Sequence, residues 1–536
     1  MIFLFLFSQV MTSSFLENRG IRFHLGIDIS TYKKIGIPIE SPFKGKIIKI
    51  VDKWKGYGKA VYIENDLKII YLYAHLDEFR KDLEEYVYYE KKRIKKNEID
   101  IDLNIEINEK DTIGYSGNTS TVVPHIHLET RKKFSKALNP LFFHDIIDTI
   151  KPVIKKIKIY PLGKSLIYSS FLPIEINRPF PETLNITSDF FLWISAYDIQ
   201  EKNLDKISIY SLRVFLGDSL ICELKYDSID INKNFLARAL YTEAQGTFSE
   251  SFIHPILTDE AFWSGSTFIN LENSLSPIKI FVYDFKGNVD SAKIFIKKEI
   301  DRHKNIKKKK GIYFVFDGLV IVDTLERKIL LKPGQLGKIF DYTYIFPLPE
   351  KDYFVKLKNF DLWIPKNFQF FPYPIFLKEI EDTLLVYCAE ILFKNPLRVK
   401  VKNKKNKEVI LKSYGNKNYK FLTSDSIFES YSWGKFFKTV DTFKPVIIGK
   451  EIHYINPSGF EIEFIVKDNS SVKNIEFYID EEWEPVSYNP LTNIARIRVF
   501  RKIKKRESNF RLIAEDYSGN NCEMVGKLIS KKINLK

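Results

Sequence analysis

Cysteine is scarce in this sequence, and its scarcity excludes two kinds of site. The chain of 536 residues has three cysteines, Cys222, Cys388 and Cys522, which lie far apart without any paired spacing. A disulfide framework and a cysteine-based zinc site both require cysteines at short, regular intervals. Any metal site in this chain is therefore expected to use histidine and carboxylate ligands.

Long apolar segments are missing as well. No run approaches the roughly 20 apolar residues that a membrane-spanning helix needs, so we predict no transmembrane helix. Residues 1–10, Met-Ile-Phe-Leu-Phe-Leu-Phe-Ser-Gln-Val, are similar to the apolar core of a secretion signal, but a basic leader and a clear small-residue cleavage site are absent. The segment is interpreted as the remnant of a signal or as a first β-strand.

Aromatic residues and positive charge are abundant. Aromatic residues make up 15% of the chain, with 44 Phe and 29 Tyr, and recurring alternating Ile-rich runs accompany them, which predicts a mainly β fold. The net charge of +15 comes from 83 Lys and Arg against 68 Asp and Glu. It indicates either a solubilising surface or a surface that attracts an anionic polymer. Nucleic acid is not an expected partner, because no nucleic-acid-binding motif accompanies the charge.

Two histidines separated by one residue form the central motif. His125 and His127 lie in Val-Pro-His-Ile-His-Leu-Glu-Thr, residues 123–130, which has β-forming character. Side chains alternate between the two faces of a strand, so both imidazoles lie on one face. Imidazole binds metals and exchanges protons near neutral pH. Taken alone, such a pair is more often a solvated strand face than a metal site.

A second motif lies near the N-terminus. His24 and Asp28 flank Gly26 in a stretch that alternates like a strand. In an extended strand these two residues would be roughly 13 Å apart, which is long for sharing one ion. A bend at Gly26 would bring them together. The alternative is a turn glycine beside a surface aspartate.

Three strand-like runs lead to His75. Residues 45–51, 60–64 and 68–76 alternate and have short connections, which predicts an antiparallel meander. From residue 77 to about residue 97, apolar residues recur at helical spacing among charged ones, which predicts an inserted amphipathic helix. Considered alone, His75 would be a core histidine with one hydrogen bond.

Together these segments resemble a known family. Phe-His24-Leu-Gly-Ile-Asp28, Tyr-Ala-His75-Leu, Gly-Tyr-Ser-Gly-Asn-Thr and Pro-His125-Ile-His127-Leu-Glu129 occur in the order and spacing of the lysostaphin/LytM-type zinc metallopeptidases. Those enzymes cut peptide cross-links of bacterial peptidoglycan. The helical insert and the closing Asn-Pro-Leu-Phe are similar to larger envelope members of the family. The resemblance covers residues 12–143, about a quarter of the chain.

The resemblance implies a zinc site. His24, Asp28 and His127 would be its ligands. Three protein ligands leave a fourth tetrahedral position open, which is typical of catalytic zinc sites. Zinc can bring the pKa of a water molecule there to about 7. Glu129 falls on the same strand face as His127 and would orient a ligand from behind.

The same resemblance implies two catalytic histidines. His125, one strand step from the ligand His127, would accept the proton of the water and later deliver it to the leaving amine. His75 would orient the water or stabilise the oxyanion of the tetrahedral intermediate. The loop before His125 departs from the family pattern, because Ser120-Thr-Val-Val-Pro124 replaces a glycine-containing turn. Its β-branched pair stiffens the loop, which affects substrate fit and removes no catalytic group.

The remaining three quarters contain an internal repeat. Asp148-Thr-Ile-Lys-Pro-Val-Ile154 recurs as Asp441-Thr-Phe-Lys-Pro-Val-Ile447, and Asp-x-x-Gly-Asn follows each downstream, at residues 284–288 and 516–520. The proline predicts a rigid entry into a strand, and Asp-x-x-Gly-Asn predicts a hairpin turn. Short alternating strands in these regions indicate β-sandwiches.

We predict four domains from these signals. They are a zinc metallopeptidase domain at 1–147, a β-sandwich at 148–300, a β-rich domain at 301–440 and, at 441–536, a β-sandwich that resembles the immunoglobulin-like modules of bacterial surface proteins. The basic run at 302–310 is interpreted as a solvated linker or as a contact with an anionic envelope polymer. Four further histidines are isolated, and each is predicted to be structural or exposed: His144, His254, His303 and His453.

Three hypotheses for the function follow. The leading one is an exported zinc endopeptidase of the bacterial cell envelope, because peptidoglycan lies outside the cytoplasm. The main alternative is a non-catalytic regulator or wall-binding scaffold, since some relatives have lost the metal site and act by binding. The intact set of ligand and catalytic residues argues against that loss. A third possibility is a surface adhesion protein whose activity lies in the β modules.

Overall fold

A computed structural model gives the fold. The apolar residues 1–9, the basic run 302–310 with His303, and Cys388 lie outside the residues that it describes. Within the described ranges, no helix is both long enough and apolar enough to cross a membrane. The described residues are 10–162, 174–186, 189–201, 205–241, 251–255, 262–270, 277–298, 311–313, 319–322, 328–331, 334–339, 341–369, 374–387, 393–413, 419–453, 459–501 and 507–529.

The N-terminal domain confirms the predicted β architecture with a helical insert. Its long sheet has the order β1-β2-β10-β6-β5-β4-β8, with antiparallel pairs, and a small sheet has the order β3-β9-β7. The elements are β1 (Met11–Ser13), β2 (Ile27–Ser30), β3 (Pro38–Glu40), β4 (Gly45–Asp52), β5 (Lys59–Asn65), β6 (Ile69–Leu76), β7 (Glu78–Phe79), α1 (Lys81–Ile94), β8 (Ile99–Ile107), β9 (Thr112–Tyr115), β10 (His125–Lys132), β11 (Lys136–Leu138) and a 3-10 turn at Pro140–Phe142.

The predicted meander is confirmed as β4, β5 and β6, which pair in sequence. The predicted helix is shorter than expected. It begins at Lys81, because Glu78 and Phe79 pair with β9 as a short strand instead. Leu83 and Val87 then point into the core beside Phe79, which is the amphipathic face that the spacing predicted.

The second region, 148–298, adds two further sheets. Their orders are β13-β12-β15-β20 and β14-β22-β21-β16-β17-β19, and one hydrophobic cluster runs through this region and the N-terminal domain. The elements are β12 (Val153–Leu162), β13 (Ile174–Asn177), β14 (Thr183–Ile186), β15 (Asp189–Tyr197), β16 (Ser211–Leu216), β17 (Ser219–Lys225), β18 (Ser228–Asp230), a 3-10 helix at Ile231–Leu236, α2 (Ala237–Leu240), β19 (Trp263–Gly265), β20 (Phe268–Ile269), β21 (Pro277–Tyr283) and β22 (Val289–Lys298).

The third region is also built from antiparallel sheets around its own hydrophobic cluster. Its strands are β23 (Gly311–Tyr313), β24 (Leu319–Val322), β25 (Lys328–Leu331), β26 (Leu336–Ile339), β27 (Tyr342–Ile345), β28 (Tyr353–Lys356), β29 (Phe360–Ile364), β30 (Ile375–Ile380), β31 (Thr383–Tyr387), β32 (Leu397–Val401), β33 (Glu408–Ser413), β34 (Tyr419–Thr423), β35 (Ile427–Ser430) and β36 (Gly434–Val440).

The C-terminal sandwich, residues 446–529, consists of two four-stranded sheets that share one hydrophobic cluster. The sheet orders are β37-β38-β42-β41 and β40-β39-β43-β44. The strands are β37 (Val446–His453), β38 (Phe460–Lys467), β39 (Val472–Ile479), β40 (Glu482–Glu484), β41 (Ser487–Asn489), β42 (Ile494–Val499), β43 (Glu507–Asp516) and β44 (Asn521–Ile529).

The internal repeat corresponds to one structural motif that occurs twice. In the first copy, the amide of Asn288 donates hydrogen bonds to the backbone carbonyl of Asp148 (3.3 Å) and to the aspartate of its own hairpin (2.6 Å). In the second copy, the amide of Asn520 donates to the carbonyl of Asp441 (3.1 Å) and to its hairpin aspartate (2.9 Å). The predicted hairpin turns are confirmed between β21 and β22 and between β43 and β44. Each repeat therefore ties the entry of a region to its last hairpin.

Candidate metal centre

The predicted site residues come from three adjacent strands. β10 lies between β2 and β6, and His127 pairs with Asp28 on the β2 side. His125 lies two residues earlier in β10, and His75 lies near the end of β6. His24 reaches the same place from the segment before β2. All five side chains line one open cleft of about 380 Å³.

Three of the five side chains converge closely. Nε2 of His24 lies 3.1 Å from Oδ1 of Asp28 and 2.9 Å from Nδ1 of His127. That Nδ1 in turn lies 2.9 Å from Oδ1 of Asp28. All three side chains are buried. Residues up to 103 positions apart in the sequence thus present one nitrogen or oxygen atom each to a common point.

Gly26 allows this convergence. The predicted bend occurs at Gly26, but the glycine is needed for another reason than chain flexibility. A Cβ atom on Gly26 would lie 2.4 Å from the carbonyl oxygen of Leu128 and 3.0 Å from Cε1 of His127. The chain therefore passes directly against β10, and only a residue without a side chain fits between them.

Hydrogen bonds on the outer sides of the two imidazoles fix the positions of their protons. Nδ1 of His24 donates to the carbonyl oxygen of Ser14 (2.9 Å), and Nε2 of His127 donates to the carboxylate of Glu129 (3.0 Å). Because those oxygens only accept, the inner nitrogens of the neutral rings carry lone pairs. Two lone pairs and the carboxylate oxygen of Asp28 then face one another. A divalent cation between them would turn this repulsion into attraction, so the donor set fits a metal.

Burial and the neighbouring charges decide how readily each of these groups holds a proton. Burial opposes ionisation of Asp28, but the neighbouring imidazoles, His24 first among them, outweigh it and hold the pKa of the carboxyl well below its usual value. Burial lowers the pKa of His24. Burial also opposes a charge on His127, yet its hydrogen bonds with Asp28 and Glu129 raise its pKa to about 9. A proton and a metal would therefore compete for Nδ1 of His127.

Glu129 lies behind His127, and two residues that the sequence did not indicate hold it there. The hydroxyl of Tyr57 donates to Oε1 of Glu129 (2.7 Å), and Nε of Arg131 donates to Oε2 (2.8 Å). Burial opposes ionisation of Glu129, but the hydrogen bond from His127 and the charge of Arg131 lower its pKa to about 2. Arg131 could have been found, since it follows Glu129 by two residues on the same strand face. Nothing in the sequence around Tyr57 indicates its role.

The other two predicted histidines lie side by side, with ring centroids 4.9 Å apart. Nδ1 of His75 donates to the carbonyl oxygen of Thr119 (2.8 Å), and Nδ1 of His125 donates to that of Val123 (2.8 Å). Each neutral ring is thus left with an unprotonated Nε2. Nε2 of His125 lies 3.5 Å from Oδ1 of Asp28. Burial and the neighbouring histidines lower the pKa of His75 to about 3, so its ring is neutral at pH 7.

Two arginines stand at the cleft. The guanidinium of Arg19 donates to Oδ2 of Asp28 (3.0 Å) and to the hydroxyl of Ser13 (2.6 Å). Arg19 therefore binds Oδ2, the outer oxygen of the Asp28 carboxylate, and Oδ1 remains directed toward the imidazoles. Arg22 is exposed and also lines the cleft.

One family model matches the chain. It is the model of peptidase family M23, and it matches residues 22–99, which include His24, Asp28 and His75. Residues 22–99 are therefore similar to peptidase family M23. The matched segment ends before β10, so His125 and His127 join the M23 residues through strand pairing. The resemblance stated from the motifs is confirmed, and the coarse class of this domain is that of a peptidase.

Solved structures are also similar to part of the chain. One is a catalytic-domain variant of the prophage-encoded M23 protein EnpA from Enterococcus faecalis, with 21% identity, 24% of this chain and 88% of that chain covered, and a TM-score of 0.19. Another is a zinc-containing peptidase from Vibrio cholerae, with 23% identity, 23% and 36% covered, and a TM-score of 0.17. A third, the complex of SpoIIIAH and SpoIIQ, has 19% identity, 25% and 91% covered, and a TM-score of 0.19. No curated protein matches the chain.

Proposed function

We propose that this protein is a zinc-dependent endopeptidase that hydrolyses the peptide cross-links of bacterial peptidoglycan. The observation that carries the proposal is the convergence of one ligand atom from each of three side chains, Nε2 of His24, Oδ1 of Asp28 and Nδ1 of His127, within 3.1 Å of one another. Two imidazoles and one carboxylate are ligands that suit zinc and leave a fourth position open. When bound, zinc would supply Lewis-acid activation of a water molecule.

His125 is the general base in this proposal. Its Nδ1 is occupied by the carbonyl of Val123, which leaves the lone pair on Nε2 available. The 3.5 Å separation between that Nε2 and Oδ1 of Asp28 supports a position beside the metal ligands. From there the ring would take a proton from the attacking water and then donate it to the leaving amine.

His75 orients the water in this proposal. A group that stabilises an oxyanion must donate a hydrogen bond, but the proton of neutral His75 lies on Nδ1 and is used by Thr119. The low pKa of about 3 supports a neutral ring at the pH of activity. Of the two roles that the sequence left open, this arrangement therefore favours acceptance of a hydrogen bond from the water.

The substrate and location are part of the same proposal. The order and spacing of the motifs support peptidoglycan peptides, and that substrate requires export of the chain to the cell envelope. The net charge of +15 supports contact with anionic envelope polymers as well. The intact ligand set favours catalysis over a scaffold that only binds the wall.

The test compares metal content and activity in three proteins: wild type, His127→Ala and His125→Ala. Bound zinc is measured per chain, and activity is measured as release of muropeptides from purified peptidoglycan. We expect His127→Ala to lose both, and His125→Ala to keep most zinc but lose activity. Removal of zinc with a chelator should abolish the wild-type activity, and added zinc should restore it. Wild type without stoichiometric zinc, or equal turnover by all three proteins, would overturn the proposal.

A further inference from the structure

The C-terminal sandwich contacts the N-terminal domain next to the proposed active site. Arg498 donates to the carboxylate of Asp77 (2.9 Å), two residues after His75. The buried hydroxyl of Tyr88 in α1 donates to Glu484 (2.7 Å). Further contacts across the same boundary come from Trp54, Asn97 and Arg496. The last region of the chain is therefore packed against the M23 domain.

One contact reaches the loop that precedes β10. The side-chain amide of Asn489 donates hydrogen bonds to the carbonyl oxygens of Asn118 and Thr121, each at 2.7 Å. Its own oxygen accepts a hydrogen bond from the backbone amide of Leu491 (3.0 Å), which fixes the orientation of the group. Asn489 is buried. A single side chain of the C-terminal sandwich thus bridges both ends of the turn at 118–121.

The residue enclosed by this bridge is the partner of His75. The hydroxyl of Thr119 donates to the carbonyl of Leu76 (2.8 Å) and accepts from the backbone amide of Lys59 (3.0 Å). The carbonyl of Thr119 accepts the hydrogen bond from Nδ1 of His75. A Cβ atom on Gly58 would lie 2.4 Å from the hydroxyl of Thr119, so the turn is tightly packed from below. Asn489 covers the turn on the opposite side, from the C-terminal sandwich.

We propose that Asn489 is a positioning residue for the active site. By holding the turn at 118–121, it keeps the carbonyl of Thr119 where it fixes the proton of His75 on Nδ1 and leaves Nε2 unprotonated. The backbone amide of His125 donates to the carbonyl of Gly117 (3.3 Å), so the same loop also borders the general base. This inference rests on the proposed function for its effect on turnover. The C-terminal sandwich then contributes to catalysis, besides any part it has in binding the cell wall.

Asn97 provides a matched control. It is also an asparagine at this boundary, and it also makes two hydrogen bonds across it, to the carbonyl of Ile475 (2.9 Å) and from the amide of Val486 (2.7 Å). Both of these partners belong to the C-terminal sandwich, and within the described ranges Asn97 makes no side-chain hydrogen bond with the loop that precedes β10. Loss of Asn97 would also remove two hydrogen bonds across this boundary, but neither of them involves the turn at 118–121.

The test uses the full chain as wild type, Asn489→Ala, Asn489→Asp and Asn97→Ala. The aspartate variant keeps the shape of the side chain and replaces its donor with an acceptor. Hydrogen exchange of the backbone amides of residues 117–123 is measured on metal-free protein, which needs no catalytic activity. Zinc content, kcat and KM are then measured on the zinc-loaded proteins with purified peptidoglycan.

We expect both Asn489 variants to exchange faster at 117–123 and to lose kcat by about tenfold or more, since small misplacements of a catalytic group have effects of this size. KM and zinc content should stay near the wild-type values. Asn97→Ala should keep wild-type exchange in that loop and wild-type kcat, even where its melting temperature falls equally. Unchanged exchange in the Asn489 variants, or equal kcat losses in Asn97→Ala, would overturn the inference. If wild type is inactive but the loop still exchanges faster in the Asn489 variants, the peptidase function is refuted, whereas the inference that Asn489 holds the turn at 118–121 is not.

Discussion

Glu129 offers a sharp test of the candidate metal centre, because its two carboxylate oxygens accept hydrogen bonds from different neighbours. Oε1 accepts from Nε2 of His127 (3.0 Å) and from the hydroxyl of Tyr57 (2.7 Å), while Oε2 accepts from Arg131 (2.8 Å). The substitution Glu129→Gln keeps the shape and replaces one of the two acceptors with an amino group. That amino group must face either His127 or Arg131, and both of these donate.

Either orientation has a cost that can be worked out. If the amino group faces His127, the ring has to move its proton to Nδ1, the atom that would bind the metal. Changes in groups that orient a metal ligand typically weaken metal affinity 10- to 100-fold, which is about 1.4–2.7 kcal/mol. If it faces Arg131, the buried guanidinium loses an ionised partner, and breaking a buried pair costs about 3–5 kcal/mol of stability.

The assay is competition for zinc between the folded protein and a chromophoric chelator, with thermal unfolding recorded in parallel. We expect Glu129→Gln to lose zinc affinity by 10- to 100-fold. Tyr57→Phe removes one hydrogen bond to Glu129 but leaves the charge of that carboxylate. The loss of zinc affinity in Tyr57→Phe should therefore be smaller than in Glu129→Gln. A folded Glu129→Gln protein with wild-type zinc affinity would refute the assignment of His127 Nδ1 as the ligand atom.

Other predictions concern stability. Burial raises the pKa of Asp77, but the charges of Arg498 and Arg496 outweigh it and lower the pKa to about 2. Ionised Asp77 should therefore contribute about 2 kcal/mol of stability that is complete above about pH 5 and disappears as the pH falls toward 2. Acid titrations followed by circular dichroism should show this loss in wild type but not in Asp77→Asn. Burial lowers the pKa of His254 to about 4, so protonation of the unfolded chain should reduce stability between pH 6.5 and 4, and His254→Phe should flatten that part of the curve. Gly26→Ala should lower the free energy of unfolding by about 1–3 kcal/mol in denaturant titrations, because the new methyl group would meet the carbonyl of Leu128.

The sequence predicted those parts of the site that depend on strand periodicity. His125, His127 and Glu129 share a face of β10 because residues two apart in a strand do so. The alternation of apolar and polar residues in 99–107 is an equally plain strand signal for β8. Helix α1 begins later than predicted because Glu78 and Phe79 pair with β9 as a short strand. This pairing is a tertiary contact, and local residue spacing cannot predict it.

What could not be predicted depends on contacts between distant loops. Tyr57 lies in a turn far from Glu129 in sequence, and only the fold brings its hydroxyl to that carboxylate. The same holds for Thr119 and His75, and for Asn489, which lies 371 residues from Asn118. The motifs therefore contain the proposed ligands together with Glu129 and Thr119, whereas Tyr57 and Asn489 come from segments without any motif.

The proposed metal ligands and His75 are held in place by different parts of the structure, which suggests how metal binding and turnover can vary separately. Asp28 and His127 are opposed residues in one strand ladder, so their spacing is set by a sheet whose neighbouring strands are buried on both faces. His75 instead lies near the end of its strand with a positive φ of 61°, and its ring is fixed by a loop carbonyl. A non-glycine residue in that conformation persists only when its surroundings hold it there. Changes in the loop or in the C-terminal sandwich should therefore reduce turnover before they reduce zinc binding.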